Sequence, residues 1–177
     1  MKKVQAGFTL VELMITLAVA IIVLAVGIPM YGSIVANNRA VAQANMFVTA
    51  LNMAKSEAVA QGIPVAVCAN ASATNVTASS LTCGGSGDWA NGWFVFQDVD
   101  SDATRDSSET VLKLWQALEP GSNVTASVGF VRYSSIGENT GSATDFELTQ
   151  DETKGNQTRC VFVNAMGQIR TERNACP

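Results

Sequence analysis

The chain begins with its most apolar segment, and its pattern changes sharply afterwards. No charged residue occurs from Leu13 to Asn38, and residues 8 to 30 are mostly apolar. About 20 such residues are enough to cross a bilayer as a helix. Two lysines precede the run and no further basic residue follows before Arg39. The positive-inside rule therefore predicts a cytoplasmic N-terminus and an exported remainder.

A cleaved secretory signal peptide is the competing interpretation of this start. Such a peptide has a short apolar core followed by a small-x-small cleavage site. Here the small residues Ala18 and Ala20 lie in the middle of the run, and Glu12 interrupts its beginning. The pattern therefore favours a retained membrane helix.

The helical pattern continues beyond the apolar run as a narrow stripe. The stripe consists of Ile34, Val41 and Val48, with Ala44, Leu51 and Ala58 at complementary positions. We expect Pro29 to kink the helix or to break its hydrogen bonding locally. Gly62 followed by Pro64 is a typical helix end. One helix from about residue 8 to about residue 60 is predicted, with the stripe docking mainly on the chain's own exported domain.

The rest of the chain alternates short β-branched or aromatic runs with turn-rich loops. The predicted strands are Ile63–Ala69, Gly92–Gln97, Thr110–Gln116, Val124–Tyr133, Asp145–Thr149, Arg159–Asn164 and Gln168–Thr171. Residues 70 to 91 are low in hydrophobicity and predict a loop. Because helices do not alternate with strands, we expect an α+β fold with an antiparallel sheet packed on the exported half of the helix.

The amino-acid composition excludes several classes of catalytic and metal site. The 177 residues fit one domain plus an appendage. The chain has no histidine, which excludes Ser-His-Asp, Cys-His and His-ligated metal sites together. It also lacks a phosphate-binding glycine loop with its lysine. These absences favour a protein that is not an enzyme, and we expect it to have no cofactor.

Four cysteines lie in the predicted exported part, at positions 68, 83, 160 and 176. An even number in an exported domain favours two disulfides, for which three connectivities are possible. We favour the local pairing, Cys68 with Cys83 and Cys160 with Cys176. A zinc site is the weaker alternative, because the chain has neither C-x-x-C nor histidine.

An acidic loop, DVDSDATRDSSE at residues 98 to 109, has the oxygen-ligand spacing of a calcium loop. The acids at loop positions 1, 3, 5, 9 and 12 are Asp98, Asp100, Asp102, Asp106 and Glu109. Position 6 is Ala103, where a sharp turn favours glycine, and the flanks resemble strands rather than helices. Calcium (Ca2+) binding is therefore one hypothesis, and a solvated acidic hairpin connection is the other.

Three arginines, Arg159, Arg170 and Arg173, occur near the C-terminus and could form a small basic patch for phosphate contact. The alternative is a strand edge with solvated charges. Removing Lys2 and Lys3 leaves nine basic residues against fifteen acidic ones, a formal net charge of −6. This acidity favours the alternative.

The N-terminal residues KKVQAGFTLVELMITLAVAIIVLAVGIP closely resemble the start of type IV prepilins and pseudopilins. The match consists of a short basic leader, Gly7, Phe8, and a hydrophobic helix with Glu12 as its fifth residue and Pro29 as its twenty-second. The resemblance implies cleavage by a prepilin peptidase after Gly7 and N-methylation of Phe8. It also implies an assembly role for Glu12 and Pro29 within the helix.

Later segments resemble the GspH/FimT branch of minor pilins, which includes FimU-like and FimT-like proteins and pseudopilins of type II secretion. These segments are LNMAKSEAVAQGIPVAVC, GWFVFQDVDSDATRDSSETVLKLW and a terminal F-x-x-x-G-x-I-R. The branch has a type IV pilin-like fold, a long N-terminal helix carrying an antiparallel β domain. The implied organisation is a leader (1–7), a transmembrane and polymerisation half of the helix (8–30), an amphipathic periplasmic half (31–61) and a β-rich domain (62–177).

The resemblance implies a minor pilin of the bacterial inner membrane that enters a pilus filament or its tip. Its implied partners are other minor pilins, the major pilin, the prepilin peptidase and the inner-membrane assembly platform. A type II secretion pseudopilin is the first alternative. The second is a DNA-binding minor pilin, since FimT-like relatives carry Gly-Arg-x-Arg. This chain has Gly167-Gln168-Ile169-Arg170, so the first arginine is missing and Arg173 offers partial compensation.

Glu12 gains a physical role from this resemblance. A carboxylate in an apolar helix is costly unless it is paired. The charged amine of Phe8, on the same or a neighbouring subunit, would supply the pair inside a filament. Helices in a membrane have no aqueous hydrophobic force between them, so one charge pair can set their register. The alternative is that Glu12 merely lies at the headgroup interface.

Overall fold

The computed structural model describes residues 8–150 and 157–177 and begins with one long helix. Helix α1 runs from Leu10 to Gln61, close to its predicted limits. The Thr9 hydroxyl caps its start by accepting the Glu12 amide at 3.2 Å. Gly62 ends it with a left-handed φ of 70°, as the glycine–proline sequence predicted. The helix continues through Pro29 without interruption, and the predicted kink there stays a prediction.

The described residues form eight strands, in two four-stranded antiparallel sheets against the C-terminal half of α1. They are β1 (Val65–Ala69), β2 (Trp93–Gln97), β3 (Val111–Trp115), β4 (Ser122–Ala126), β5 (Phe130–Tyr133), β6 (Thr144–Gln150), β7 (Gln157–Val163) and β8 (Ile169–Glu172). The first sheet has the order β3-β2-β1-β5, and the second has the order β4-β6-β7-β8. The α+β class, a long helix packed on antiparallel β-structure, is confirmed.

The predicted single strand Val124–Tyr133 is wrong, because the chain changes sheets within it. β4 pairs with β6 in the second sheet, whereas β5 pairs with β1 in the first. The change occurs around Gly129, whose backbone lies so close to Gly84 that an added Cβ would be 2.4 Å from the Gly84 carbonyl oxygen. The Trp89 indole fixes this crossing by donating to the Val128 carbonyl at 2.7 Å.

The buried face of α1 differs in part from the predicted stripe. Ala44, Leu51 and Ala58 are buried as predicted, but Ile34 is 49% exposed and Val41 is 37% exposed. The face that meets the sheets consists of Ala36, Ala40, Ala44, Phe47, Leu51, Ala54 and Ala58. Its spacing of three and four residues follows a straight helix, whereas a seven-residue repeat drifts around it. Small alanines also let the sheets approach the helix closely.

Phe47 is the one large aromatic side chain on this buried face, and it joins the helix to both sheets. Its ring lies 5.3 Å from that of Trp89, 5.1 Å from that of Trp93 and 4.6 Å from that of Phe146, between ring centroids. Trp93 belongs to the first sheet and Phe146 to the second. Edge-on aromatic contacts add to the energy of apolar burial. Phe47 therefore holds the helix and both sheets in one core.

Both predicted disulfides are present. Cys68 pairs with Cys83 across a Cα separation of 5.4 Å, and Cys160 pairs with Cys176 across 5.1 Å. The first joins β1 to the loop that follows it, and the second joins the C-terminal tail to β7. The structure therefore selects the local pairing among the three possible connectivities.

Candidate functional site

The N-terminal half of α1 projects from the domain as an uncovered apolar rod. Every residue from 8 to 28 is exposed. Within residues 8–150 and 157–177, α1 is the single helix long and apolar enough to cross a membrane, with a mean hydropathy of 2.7 in its best window and none of that window buried. An apolar surface of this size has to be covered by lipid or by other chains.

Glu12 lies in the first turn of this rod. Its backbone N–H is the group that Thr9 caps, while its exposed carboxylate takes no part in the cap. An acid in a first turn is favoured by the helix dipole. Phe8 is exposed immediately before the cap, whereas Gly7 lies outside the described residues. Cleavage, methylation and the Phe8–Glu12 pair stay predictions, as does the assembly role of Pro29.

The acidic loop joins β2 to β3, so its flanks are strands. Oxygen atoms of Asp98, Asp100 and Asp102 lie within 4.8 Å of one another, and this group does not extend to Asp106 or Glu109. The position-6 residue Ala103 adopts a left-handed φ of 61°, so the chain makes the sharp turn without glycine. The structure thus brings together three of the five predicted calcium ligands.

Four carboxylates of this loop accept backbone amides: Asp100 and Asp102 accept one each, at 3.3 Å and 2.6 Å, and Asp98 and Glu109 accept two each. Asp98 is fully buried, accepts the amides of Asp102 at 3.1 Å and Ala103 at 3.2 Å, and pairs with Arg132 at 3.5 Å. Glu109 accepts the Val99 amide at 2.9 Å and the Asp106 amide at 3.0 Å with its two oxygens. These contacts close the loop and support the hairpin interpretation. Calcium binding stays a prediction.

Burial governs the acidity of both closing carboxylates. Desolvation raises the pKa of Asp98, although the Ala103 amide and Arg132 act to lower it. Desolvation likewise raises the pKa of Glu109, against the Asp106 and Val99 amides. Burial therefore outweighs the hydrogen bonds at each site. Asp98 and Glu109 therefore hold the loop in shape through their hydrogen bonds, but burying their carboxylates costs desolvation free energy.

We expect Asp98→Ala to destabilise the domain by about 2–3 kcal/mol, because it leaves the buried Ala103 amide without its acceptor and Arg132 without its ion-pair partner. Urea unfolding measures the change. Asp106→Ala is the matched control, since that residue contributes its backbone amide to the loop. Equal unfolding midpoints for the two variants would contradict this role.

Calcium separates the two interpretations of the loop. Because Asp98 and Glu109 already accept backbone amides, we expect about millimolar calcium to leave the thermal unfolding midpoint of the domain unchanged. A rise in that midpoint that Asp100→Asn abolishes would instead establish a cation site. Magnesium at the same concentration controls for ionic strength.

The three C-terminal arginines do not lie together: Arg159 and Arg173 line one polar groove, and Arg170 lies outside it. Arg159 is buried, and its guanidinium donates to Asn37 Oδ1 at 2.7 Å, so it serves the packing of β7 on α1. Arg170 pairs with Glu172 at 2.9 Å and lies over the ring of Phe162. Successive residues of a strand face opposite sides of its sheet, which is why arginines close in sequence separate here.

A groove that the sequence did not single out lies between α1 and the segment after β3. It has a volume of about 290 Å³ and is lined mainly by Met46, Trp93, Trp115 and Leu118, with an Arg39–Glu119 ion pair of 3.3 Å at its rim. The Trp93 indole N–H is buried and has no partner among the described residues. Alternation along the strands places both tryptophans inward. The residues of α1 that contact these tryptophans could not be predicted, because the predicted apolar stripe matches the buried face of the helix only in part.

Sequence families match both halves of the molecule. The model described as Type II transport protein GspH matches residues 43–167, and the Prokaryotic N-terminal methylation motif matches residues 2–28. The two matches do not overlap, and residues 29–42 of α1 lie between them. No curated protein matches the sequence.

Two solved structures share the fold. The type IV minor pilin FimU of Pseudomonas aeruginosa (strain PAO1) is 17% identical, with a TM-score of 0.56 over 76% of this chain and 89% of that chain. The minor pseudopilin EpsH from the Type 2 Secretion System of Vibrio cholerae is 14% identical, with a TM-score of 0.53 over 76% of this chain and 97% of that chain. The family match covers most of this chain. The chain therefore belongs to the GspH family and is a type IV minor pilin or pseudopilin of the GspH/FimT type.

Proposed function

We propose that this chain is a minor type IV pilin that co-assembles with other minor pilins and the major pilin, primes pilus assembly and lies near the filament tip. Its work is structural rather than catalytic. The observation that carries this proposal is the uncovered apolar half of α1, headed by Glu12 and continuous with the half that holds the domain.

The proposed assembly chemistry begins in the inner membrane. The prepilin peptidase cuts after Gly7 on the cytoplasmic side, and methylated Phe8 becomes a charged terminus. Residues 8 to 30 span the bilayer while the domain stays in the periplasm. The assembly platform then moves the subunit into a filament, where the Phe8 amine of this or a neighbouring chain neutralises Glu12. Lipid covers this apolar segment in the membrane, and the helices of other pilins cover it in the filament.

Deletion of the gene tests the proposed role. We expect the deletion to remove surface pili while protein secretion continues, with pili restored by the intact gene but not by a copy lacking the apolar half of α1. Pili in normal number in the deletion strain would contradict a priming role.

A type II secretion pseudopilin is the first alternative, and the GspH family match and the fold shared with EpsH support it. Both roles use the same N-terminal chemistry. The deletion separates them, because loss of secretion with intact pili would assign the chain to the secretion system.

DNA binding is the second alternative and rests on exposed Arg170 and on Arg173. The Arg170–Glu172 pair and the acidic domain oppose it. We expect the domain from residue 36 onward to give no gel shift with DNA at physiological salt, because few phosphates could be neutralised. A shift at low salt that Arg170→Gln and Arg173→Gln abolish would instead support DNA uptake as the function.

A further inference from the structure

Arg159 is a buried charge whose hydrogen-bond acceptors are all neutral. The residue is 7% exposed, and its guanidinium donates to Asn37 Oδ1 at 2.7 Å, to the Arg173 carbonyl at 3.1 Å and to the Thr158 carbonyl at 3.3 Å. The described part of the chain offers it no ion-pair partner. A buried charge that lacks a counter-charge is held at a cost of several kcal/mol, roughly. An anion beside it would remove much of that cost.

A polar groove of about 440 Å³ opens directly beside this guanidinium. It is lined by Asn37, Gln157, Thr158, Arg159, Arg173 and Asn174, together with Ala175. No carboxylate is among these lining residues, whereas two guanidinium groups and three side-chain amides are. Arg173 is exposed, and its side chain makes no ion pair within residues 8–150 and 157–177; its carbonyl, not its side chain, binds Arg159. This donor set suits a phosphate group, which accepts paired N–H donors from arginine.

The groove lies at the edge of the domain that faces the apolar rod. Asn37 is seven residues beyond the predicted span 8–30, which is about 10 Å along a helix. The headgroup layer on each side of a bilayer is about 5–8 Å thick. A modest helix tilt and the length of an arginine side chain cover the remaining distance. The groove is therefore within reach of lipid phosphates on the exported side.

We propose that this groove binds the phosphate group of an anionic phospholipid, with Arg173 as the contacting residue and Arg159 as the buried charge behind it. The contact would hold the domain upright on the membrane before assembly and would be released on entry into a filament. The inference rests on the proposed membrane-anchored state. It differs from DNA binding, which would need exposed Arg170 as well as Arg173, because Arg170 is not among the residues that line the groove.

Native mass spectrometry of the full chain in non-ionic detergent tests the proposal, with phosphatidylglycerol, phosphatidylcholine and inorganic phosphate as separate probes. We expect retention of phosphatidylglycerol above phosphatidylcholine, and a loss of about fivefold in Arg173→Gln, the change given by one arginine near an anionic headgroup. Arg170→Gln is the matched control, since Arg170 is exposed, basic and three residues away. It should retain the lipid like the unsubstituted chain.

Three results would overturn the lipid site. They are equal retention of the two lipids, equal loss in Arg173→Gln and Arg170→Gln, and displacement of phosphatidylglycerol by excess inorganic phosphate, which would indicate a general anion site. Thermal unfolding of each variant confirms that the domain is intact. Glu12→Ala separates this inference from the proposed function, because that variant should keep the lipid while losing assembly.

Discussion

Glu12→Ala should leave the chain in the membrane fraction and lower its incorporation into filaments at least about tenfold, the effect of losing roughly 1.4 kcal/mol of subunit association. A charge pair in a low-dielectric helix bundle is worth at least this much. The helix itself should be unchanged, because Thr9 caps the backbone N–H of Glu12 and not its carboxylate. Alanine is also a better residue for membrane insertion than glutamate.

Two matched variants decide whether charge is the cause. Glu12→Asp keeps the carboxylate and should retain part of the incorporation, whereas Thr16→Ala changes an exposed polar residue one turn later and should retain all of it. Quantitative immunoblots of sheared filaments and of membranes measure the two pools. Normal incorporation of Glu12→Ala would contradict the pairing role and favour a carboxylate that simply lies at the headgroup interface.

Phe47→Ala should destabilise the domain by about 3–5 kcal/mol, the typical cost of removing a buried aromatic ring from a packed core. The cost should lie toward the upper end, because the ring contacts Trp89, Trp93 and Phe146 and so joins both sheets to the helix. Since native domains are stable by only about 5–15 kcal/mol, such a variant should be poorly folded at growth temperature.

Urea unfolding followed by tryptophan fluorescence measures this loss directly, because Trp89 and Trp93 border the missing ring. Val59→Ala is the matched control on the same helix; Val59 is 53% exposed, and its truncation should change stability by less than about 0.5 kcal/mol. Similar unfolding midpoints for both variants would show that the helix is not held through Phe47.

The features that the sequence predicted well are those fixed by local chemistry. The helix end follows from Gly62 and Pro64, and six of the eight strands in the described residues follow from β-branched and aromatic runs between turn residues. The disulfide pairing follows from loop length. Each of these depends on neighbours in the chain, so no knowledge of packing was needed.

The features that the sequence missed depend on how elements meet. Ile34 and Val41 are larger than the alanines that are buried, so hydrophobicity alone placed these two residues on the buried face of the helix. The division of Val124–Tyr133 depends on the approach of Gly129 to Gly84, which lies far away in sequence. Sequence alone groups Arg159 with two exposed arginines, because its neighbours in sequence do not indicate that it packs against Asn37 on α1.

The most direct test of the central claim is the composition of sheared filaments. Mass spectrometry of filaments purified from wild-type cells should detect this chain beginning at N-methylated Phe8, at a small fraction of the major pilin. A strain producing Glu12→Ala should contain the processed chain in its membranes and lack it in its filaments. Absence of the wild-type chain from filaments, with the processed protein confined to the membrane, would contradict the account.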